Sequence, residues 1–215
     1  MEKSSSTSKE DYLSEIYKLQ SINNRAAKIT EIANSLDISK PSVSEMANKL
    51  SEEGLVEFEK YGGVTLTEKG IVEARKVVRK HQLLEVFFND ILKLKDKFHH
   101  EAHNVEHSLS DDAADRLDEV LKKPKFCPDG NPIPSLDVKV IGLLDLPLNT
   151  NAKVVFTSVQ DQKSLDWINS LGIIPQAKIK AVRKISNGPI IISVKGSEIA
   201  LGKEICNQVF VEKEE

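Results

Sequence analysis

With 215 residues, 40% of them apolar and 29% charged, the chain can build two or three small cores, and its texture is that of a globular rather than a membrane-spanning protein. No apolar run approaches the roughly 18 residues of a membrane span, the start Met1-Glu2-Lys3-Ser4-Ser5-Ser6 lacks the apolar segment of an export signal, and two cysteines, Cys127 and Cys206, are too few for a disulfide scaffold, so the cytoplasm is the expected compartment. The net charge of −3 does not advertise nucleic-acid binding, and the acidity lies in residues 81–126, where a bound divalent cation would offset it.

In chain order, Tyr12, Leu13, Ile16, Tyr17 and Leu19 share most of one helical face, and Ile29, Ile32, Ala33 and Leu36 predict a second amphipathic helix. Asp37-Ile38 turns the chain. Ser39 is an N-cap, Pro41 fits a first turn, and Val43, Met46, Ala47 and Leu50 make a third helix stopped at Gly54. The period then changes. Leu55–Glu59 alternates, Tyr61-Gly62-Gly63 turns and Val64–Leu66 extends, which predicts a hairpin. Thr67 caps a long helix running to Leu92, Lys93–Asp96 breaks it, a helix through His107 follows, and Ser110 starts another ending near Leu121. Residues 122–135 hold four of the eight prolines and read as a linker. Beyond it, Val138–Leu144, Lys153–Val159, Lys178–Ile185, Pro189–Val194 and Val209–Val211 read as strands with one helix from Ser164 to Leu171, a small SH3-like β-barrel. The expected division is 1–73, 74–136 and 137–215, and there is no internal repeat.

Two short helices joined by a tight turn with a hairpin behind form the pattern of a winged helix-turn-helix, whose second helix enters the major groove of DNA. Its exposed face would show Lys40, Ser42, Ser44, Glu45, Asn48 and Lys49, with Lys60 and Tyr61 at the hairpin tip reaching phosphate. Glu45 sits awkwardly against phosphate, although a carboxylate accepts from cytosine. The bland alternative is a helical domain with a solvated polar face.

All five histidines fall between His81 and His107. His81 and Glu85 are four apart on one helix face; His99, His103 and His107 are four apart on another, with Glu106 beside them and His100 facing away. Imidazole with carboxylate suits Mn2+, Fe2+ or Zn2+. The rival reading of His103-Asn-Val-Glu106-His107 is the inverted zinc-protease spacing H-x-x-E-H, with Glu106 as general base. Two further alternatives keep DNA or metal alone: a winged-helix regulator answering a non-metal ligand, and a metal buffer or delivery protein.

Arg79-Lys80-His81-Gln82-Leu83-Leu84-Glu85, the run His99 to Ser110, and Gly130-Asn131-Pro132-Ile133-Pro134, in this order after a winged helix-turn-helix and before a small β-domain, resemble the diphtheria toxin repressor (DtxR/MntR) family over residues 9 to about 212. The resemblance implies a homodimer that takes Mn2+ or Fe2+ at two sites per chain and then binds palindromic operator DNA, with no membrane and no small organic substrate. One site would be His81, Glu85 and His99, completed by Asp161 of the β-domain. The other would be His103, Glu106 and His107 with Asp11 of the first helix. The implied recognition positions are Ser39, Pro41, Ser42, Ser44 and Glu45. His103 and Asp11 stand where the family often has softer ligands, which tilts the metal towards Mn2+ or Fe2+. The C-terminal Leu171-Gly172-Ile173-Ile174-Pro175 resembles the SH3-like module of iron-transport accessory proteins.

Overall fold

The computed structural model describes residues 8–59, 62–136, 139–159, 161–186 and 188–214. The chain divides into two compact units, residues 1–71 with 138–215 and residues 72–137.

The first unit opens with three helices: α1 (Lys9–Asn23), α2 (Ile29–Ser35) and α3 (Lys40–Glu52). Ser8 and Asp11 form a reciprocal capping box at the start of α1, satisfying backbone donors that a helix end leaves open. Ser39 caps α3 by accepting from the Ser42 amide, with Pro41 in the first turn as expected. Gly54 takes φ +68° just past the helix end, where a side chain would be strained. The wing follows as an antiparallel pair, β1 (Val56–Glu59) and β2 (Gly63–Leu66), in the register Val56 to Leu66. Leu13, Ile16, Ile32, Leu50 and Leu66 are wholly buried, so the helices and the wing share one core. Inside it the Gln20 amide oxygen accepts from the Leu66 amide at 3.0 Å.

The same unit contains the C-terminal β-domain. Its strands are β3 (Val140–Gly142), β4 (Asn151–Thr157), β5 (Lys178–Lys184), β6 (Ile190–Val194), β7 (Ser197–Leu201) and β8 (Val209–Lys213). They form one antiparallel sheet in the order β3-β8-β4-β5-β6-β7, the last strand in sequence lying between β3 and β4. Register shifts at Val154/Phe156 and Ala181/Arg183 bend it, as an SH3-like fold requires. Leu143, Val154, Ile179, Ile192, Leu201 and Val211 fill the core together with Leu165 and Ile168 of the helix between β4 and β5 (Gln162–Ser170). Strand β7 and the short helix Lys203–Cys206 did not stand out in the sequence, because Ser197–Leu201 is an edge strand with a mostly exposed pattern.

The second unit is helical. Helix α4 (Glu68–Val86) begins at the wing and supplies most of it, and a wide turn of π-helix over Phe87–Ile91 ends it. Lys93, at φ 60°, breaks the chain before α5 (Phe98–Glu106) and α6 (Asp111–Val120). Arg79, only 8% exposed, forks to Asp115 at 2.7 Å and Asp118 at 2.8 Å, and Lys80 meets Asp111 at 2.7 Å. These pairs clamp α6 to α4. The proline-rich stretch is not an open linker. Ile133 donates to the Lys125 carbonyl at 3.0 Å, Gly130 turns the chain at φ +82°, and Arg75 holds the Ser135 carbonyl at 2.5 Å.

Candidate metal centre and nucleic-acid interface

The chemistry of the second unit gathers on two buried carboxylates. Glu85, 2% exposed, faces His81 one turn earlier on α4, with 3.1 Å between Glu85 Oε1 and His81 Nε2. His99, at the start of α5, brings Nδ1 to 2.7 Å from the same oxygen and to 3.2 Å from His81 Nε2. Two ring nitrogens and one carboxylate oxygen thus converge on a single point. Without a metal, both ring nitrogens can carry a proton and donate to that oxygen. In place of those protons a cation would meet two imidazole nitrogens and a carboxylate oxygen, a donor set that fits a divalent metal of the Mn2+, Fe2+ or Zn2+ kind. Burial by itself would raise the Glu85 carboxyl, but hydrogen bonds from His81 and His99 outweigh it and hold the group at about 2.

Glu106, 4% exposed at the end of α5, joins this point to the second row of histidines. Its Oε1 lies 2.9 Å from His103 Nδ1 and 3.3 Å from His107 Nε2, while its Oε2 lies 2.5 Å from His81 Nδ1. His81 therefore has a carboxylate on each ring nitrogen. Where a metal takes the place of the Nε2 proton, Nδ1–H donating to Glu106 would leave the Nε2 lone pair aimed at the Glu85–His99 point, the arrangement in which an outer carboxylate fixes a ligand's tautomer and raises its basicity. The histidine spacing in the sequence separates two groups of ligands; the fold makes Glu106 common to both.

Sequence reasoning missed Cys127 and Asp129. Their side chains, with Glu85, form another set of donor atoms close enough to share an ion. Burial raises the Cys127 thiol, and its hydrogen bond to Glu85 raises it further. The available signal was a Cys-Pro-Asp-Gly turn, which composition assigned to a linker. His100 is exposed and sits by Asn104, away from the convergence, as its helical phase indicated.

Of the two expected ligands in the other unit, Asp11 is buried in the first turn of α1, and its Oδ2 accepts from the Ser8 amide at 2.6 Å. Asp161 is exposed and caps the helix Gln162–Ser170, accepting from the Ser164 amide at 2.9 Å.

On α3 the faces separate cleanly. Val43, Ala47 and Leu50 are buried, and Ser39, Lys40, Pro41, Ser42, Glu45, Asn48 and Lys49 are exposed, with Ser44 half-buried. Lys49 Nζ lies 2.8 Å from Glu45 Oε1, which pairs that carboxylate with a cation and lowers it. The exposed face thus carries hydroxyls, an amide and lysines, with Glu45 neutralised by its neighbour. Lys60 and Tyr61 lie outside the described residues.

A winged helix in one unit and an imidazole–carboxylate cluster in the other are the two parts of a metal-dependent transcriptional regulator. The chain belongs to the iron-dependent repressor family. Residues 5–64 match the iron dependent repressor N-terminal DNA binding domain, residues 67–135 its metal binding and dimerisation domain, and residues 141–213 the FeoA domain. The chain is 33% identical to the iron-dependent repressor IdeR of Mycobacterium tuberculosis, over 95% of this chain and 96% of that one. It is 45% identical to the HTH-type transcriptional regulator MJ0568 of Methanocaldococcus jannaschii, over 56% of this chain and 97% of that protein. Among solved structures, the manganese regulator SloR matches with a TM-score of 0.56 at 29% identity, covering 97% of this chain and 100% of that one. These relatives are regulators and not enzymes, which retires the hydrolase reading of His103, Glu106 and His107. Among the described residues, no helix is long and apolar enough to cross a membrane.

Proposed function

We propose that the protein is a cytoplasmic repressor that binds palindromic operator DNA as a homodimer when loaded with Mn2+ or Fe2+, and so controls genes of metal homeostasis. The observation that carries this reading is the convergence of His81, Glu85 and His99 on one point, with Glu106 orienting His81 from behind. In this reading residues 1–73 bind DNA, residues 74–136 bind metal and dimerise, and residues 137–215 are an SH3-like accessory. Ile91, Leu92 and Val120 are 55%, 48% and 71% exposed, which suits a surface covered in a dimer.

The family resemblance implies two metal sites. His81, Glu85 and His99 make one, with Asp161 as the family-implied fourth ligand. His103, Glu106 and His107 make the other with Asp11. Asp161 is the weaker assignment, since its carboxylate already caps a helix. Asp11 likewise holds a helix-start cap, but it is buried where Asp161 is exposed. A bound divalent cation would supply positive charge that Glu85 and Glu106 otherwise lack. The protein's own part is to hold the imidazoles in one tautomer and α1 in one place, so that the recognition helices of a dimer match half-sites about one helical turn apart. Metal acts through its greater affinity for that arrangement.

The test is operator binding after chelation, titrated with Mn2+, Fe2+, Co2+ and Zn2+ at fixed salt, because phosphate contacts make affinity salt-dependent. Mn2+ or Fe2+ should restore binding and Asp11→Ala should abolish the restoration. Binding indifferent to chelator would favour a non-metal ligand, and metal binding without specific DNA binding would favour a delivery role.

A further inference from the structure

Asn24 follows α1 in the left-handed conformation, at φ 53°, and is 3% exposed. A polar side chain so deeply buried must find partners, and among the described residues those of this one lie in the β-domain. Its amide nitrogen donates to Asn169 Oδ1 at 2.8 Å and to the Ile173 carbonyl at 3.0 Å. Its amide oxygen accepts from the Thr157 amide at 2.9 Å, and its main-chain carbonyl accepts from the Thr157 hydroxyl. Its main-chain N–H is spent locally, on the Gln20 carbonyl that closes α1.

The contact continues on both sides of Asn24. Tyr17 of α1 meets Phe156 of β4 edge to face, with centroids 6.0 Å apart. The Ala26 amide donates to the Val159 carbonyl at 3.2 Å. One residue on, Ala27 exchanges two backbone hydrogen bonds with Val64 of the wing strand β2, at 3.0 and 2.8 Å. Gly63 beside it has no room for a side chain, since a Cβ there would lie 2.6 Å from the Ala27 carbonyl oxygen. Residues 24–27 are thus a strap, tied at one end to the last residues of β4 and at the other to the wing.

We propose that Asn24 is a docking residue that fixes the C-terminal β-domain to the winged helix, and that through Ala26 and Ala27 this docking positions the wing for DNA. The β-domain then serves DNA binding directly, whatever else it does for metal. The hydrogen bonds are specific: aspartate at 24 keeps the shape but has no donors for Asn169 and Ile173, and any apolar residue strands the Thr157 amide.

Asn24→Gly is the informative variant, because glycine keeps the left-handed backbone without strain and removes only the side chain. Hydrogen exchange of the full chain needs neither DNA nor metal. Protection of the Thr157 and Ala26 amides should fall by at least about ten-fold while Ile192 in the β-domain core stays protected. Thr157→Val, which keeps the branched shape and loses one donor, should shift the same amides in the same direction by less; it decides the matter if Asn24→Gly does not fold. The second arm rests on the DNA-binding reading above. It uses duplexes that the wild-type protein selects with Mn2+ from a random-sequence pool. Asn24→Gly should bind them roughly ten-fold more weakly, with a shallower dependence of affinity on salt, because phosphate contacts from the wing are lost. Unchanged protection of Thr157 and Ala26 overturns the docking, and reduced protection with unchanged affinity and salt slope overturns the positioning of the wing. Failure of the wild type to select any duplex would sink the proposed function while leaving the exchange result to stand or fall by itself.

Discussion

Glu106 is the residue on which the metal chemistry turns. It touches His103 and His107 through one oxygen and His81 through the other. Glu106→Gln should therefore weaken metal binding at both sites, by about 10- to 100-fold at the His81 site, where it acts only by orienting the ring. His103→Ala should weaken one site alone. Isothermal titration with Mn2+ separates the two outcomes, and loss confined to one site in Glu106→Gln would refute the shared role. Because Glu85 is held ionised down to about 2, it does not compete with protons for metal near neutrality. Metal-dependent DNA binding should be present at pH 7.5 and fall in acid, because protons compete with the metal for its ligands. In the metal-free protein the sign is that of a depressed carboxyl: Glu85 contributes stability above its unfolded value, lost as the pH falls towards 2. The cysteines offer a simpler check. Burial pushes Cys206 up to about 11, and both thiols are buried and unpaired in disulfides. Neither should react with a thiol reagent at pH 8 until the protein is unfolded. The histidines and acids of this cluster were legible because ligands four apart on a helix share a face. Cys127 was not, because a turn in a proline-rich stretch carries no periodicity that says which helix it will fold against.

At the scale of elements, the helix-turn-helix and wing could be read almost to the residue. Ser39, Pro41, Gly54 and Thr67 are local signals whose effect depends on neighbouring backbone, and each acts where expected. The spacing of Val43, Ala47 and Leu50 put one face of α3 in the core and left the other exposed. Lys40→Ala should weaken binding to all duplexes alike and lower the salt slope by about one, whereas Asn48→Ala should alter which sequences are preferred. Selection from a random pool with each variant shows which is which. Gly70 was not singled out by its sequence context, yet a Cβ there would lie 1.9 Å from the Leu55 carbonyl oxygen. Gly70→Ala should cost about 1–3 kcal/mol, read in urea unfolding, despite alanine's better helix propensity. Strand β7 escaped notice for a related reason: an exposed edge strand has no alternation to display.

For the whole molecule, the proposed function links assembly to metal response. If the helical unit dimerises through its exposed apolar residues, Leu92→Asp should yield monomers in sedimentation and lose operator binding while keeping its metal affinity within a few-fold. A dimer that persists would move the interface elsewhere. The sequence by itself determined which residues have the chemistry to bind metal and DNA, and on which helices they sit. Those properties are set by side-chain type and by spacings within a single turn or two. Only the tertiary structure decided which of them meet. Glu106 serves His81 across 25 residues, Cys127 folds back onto Glu85, and Asn24 clasps Thr157 across 133. Such pairings depend on how separate elements pack, and no periodicity within one element encodes its neighbour.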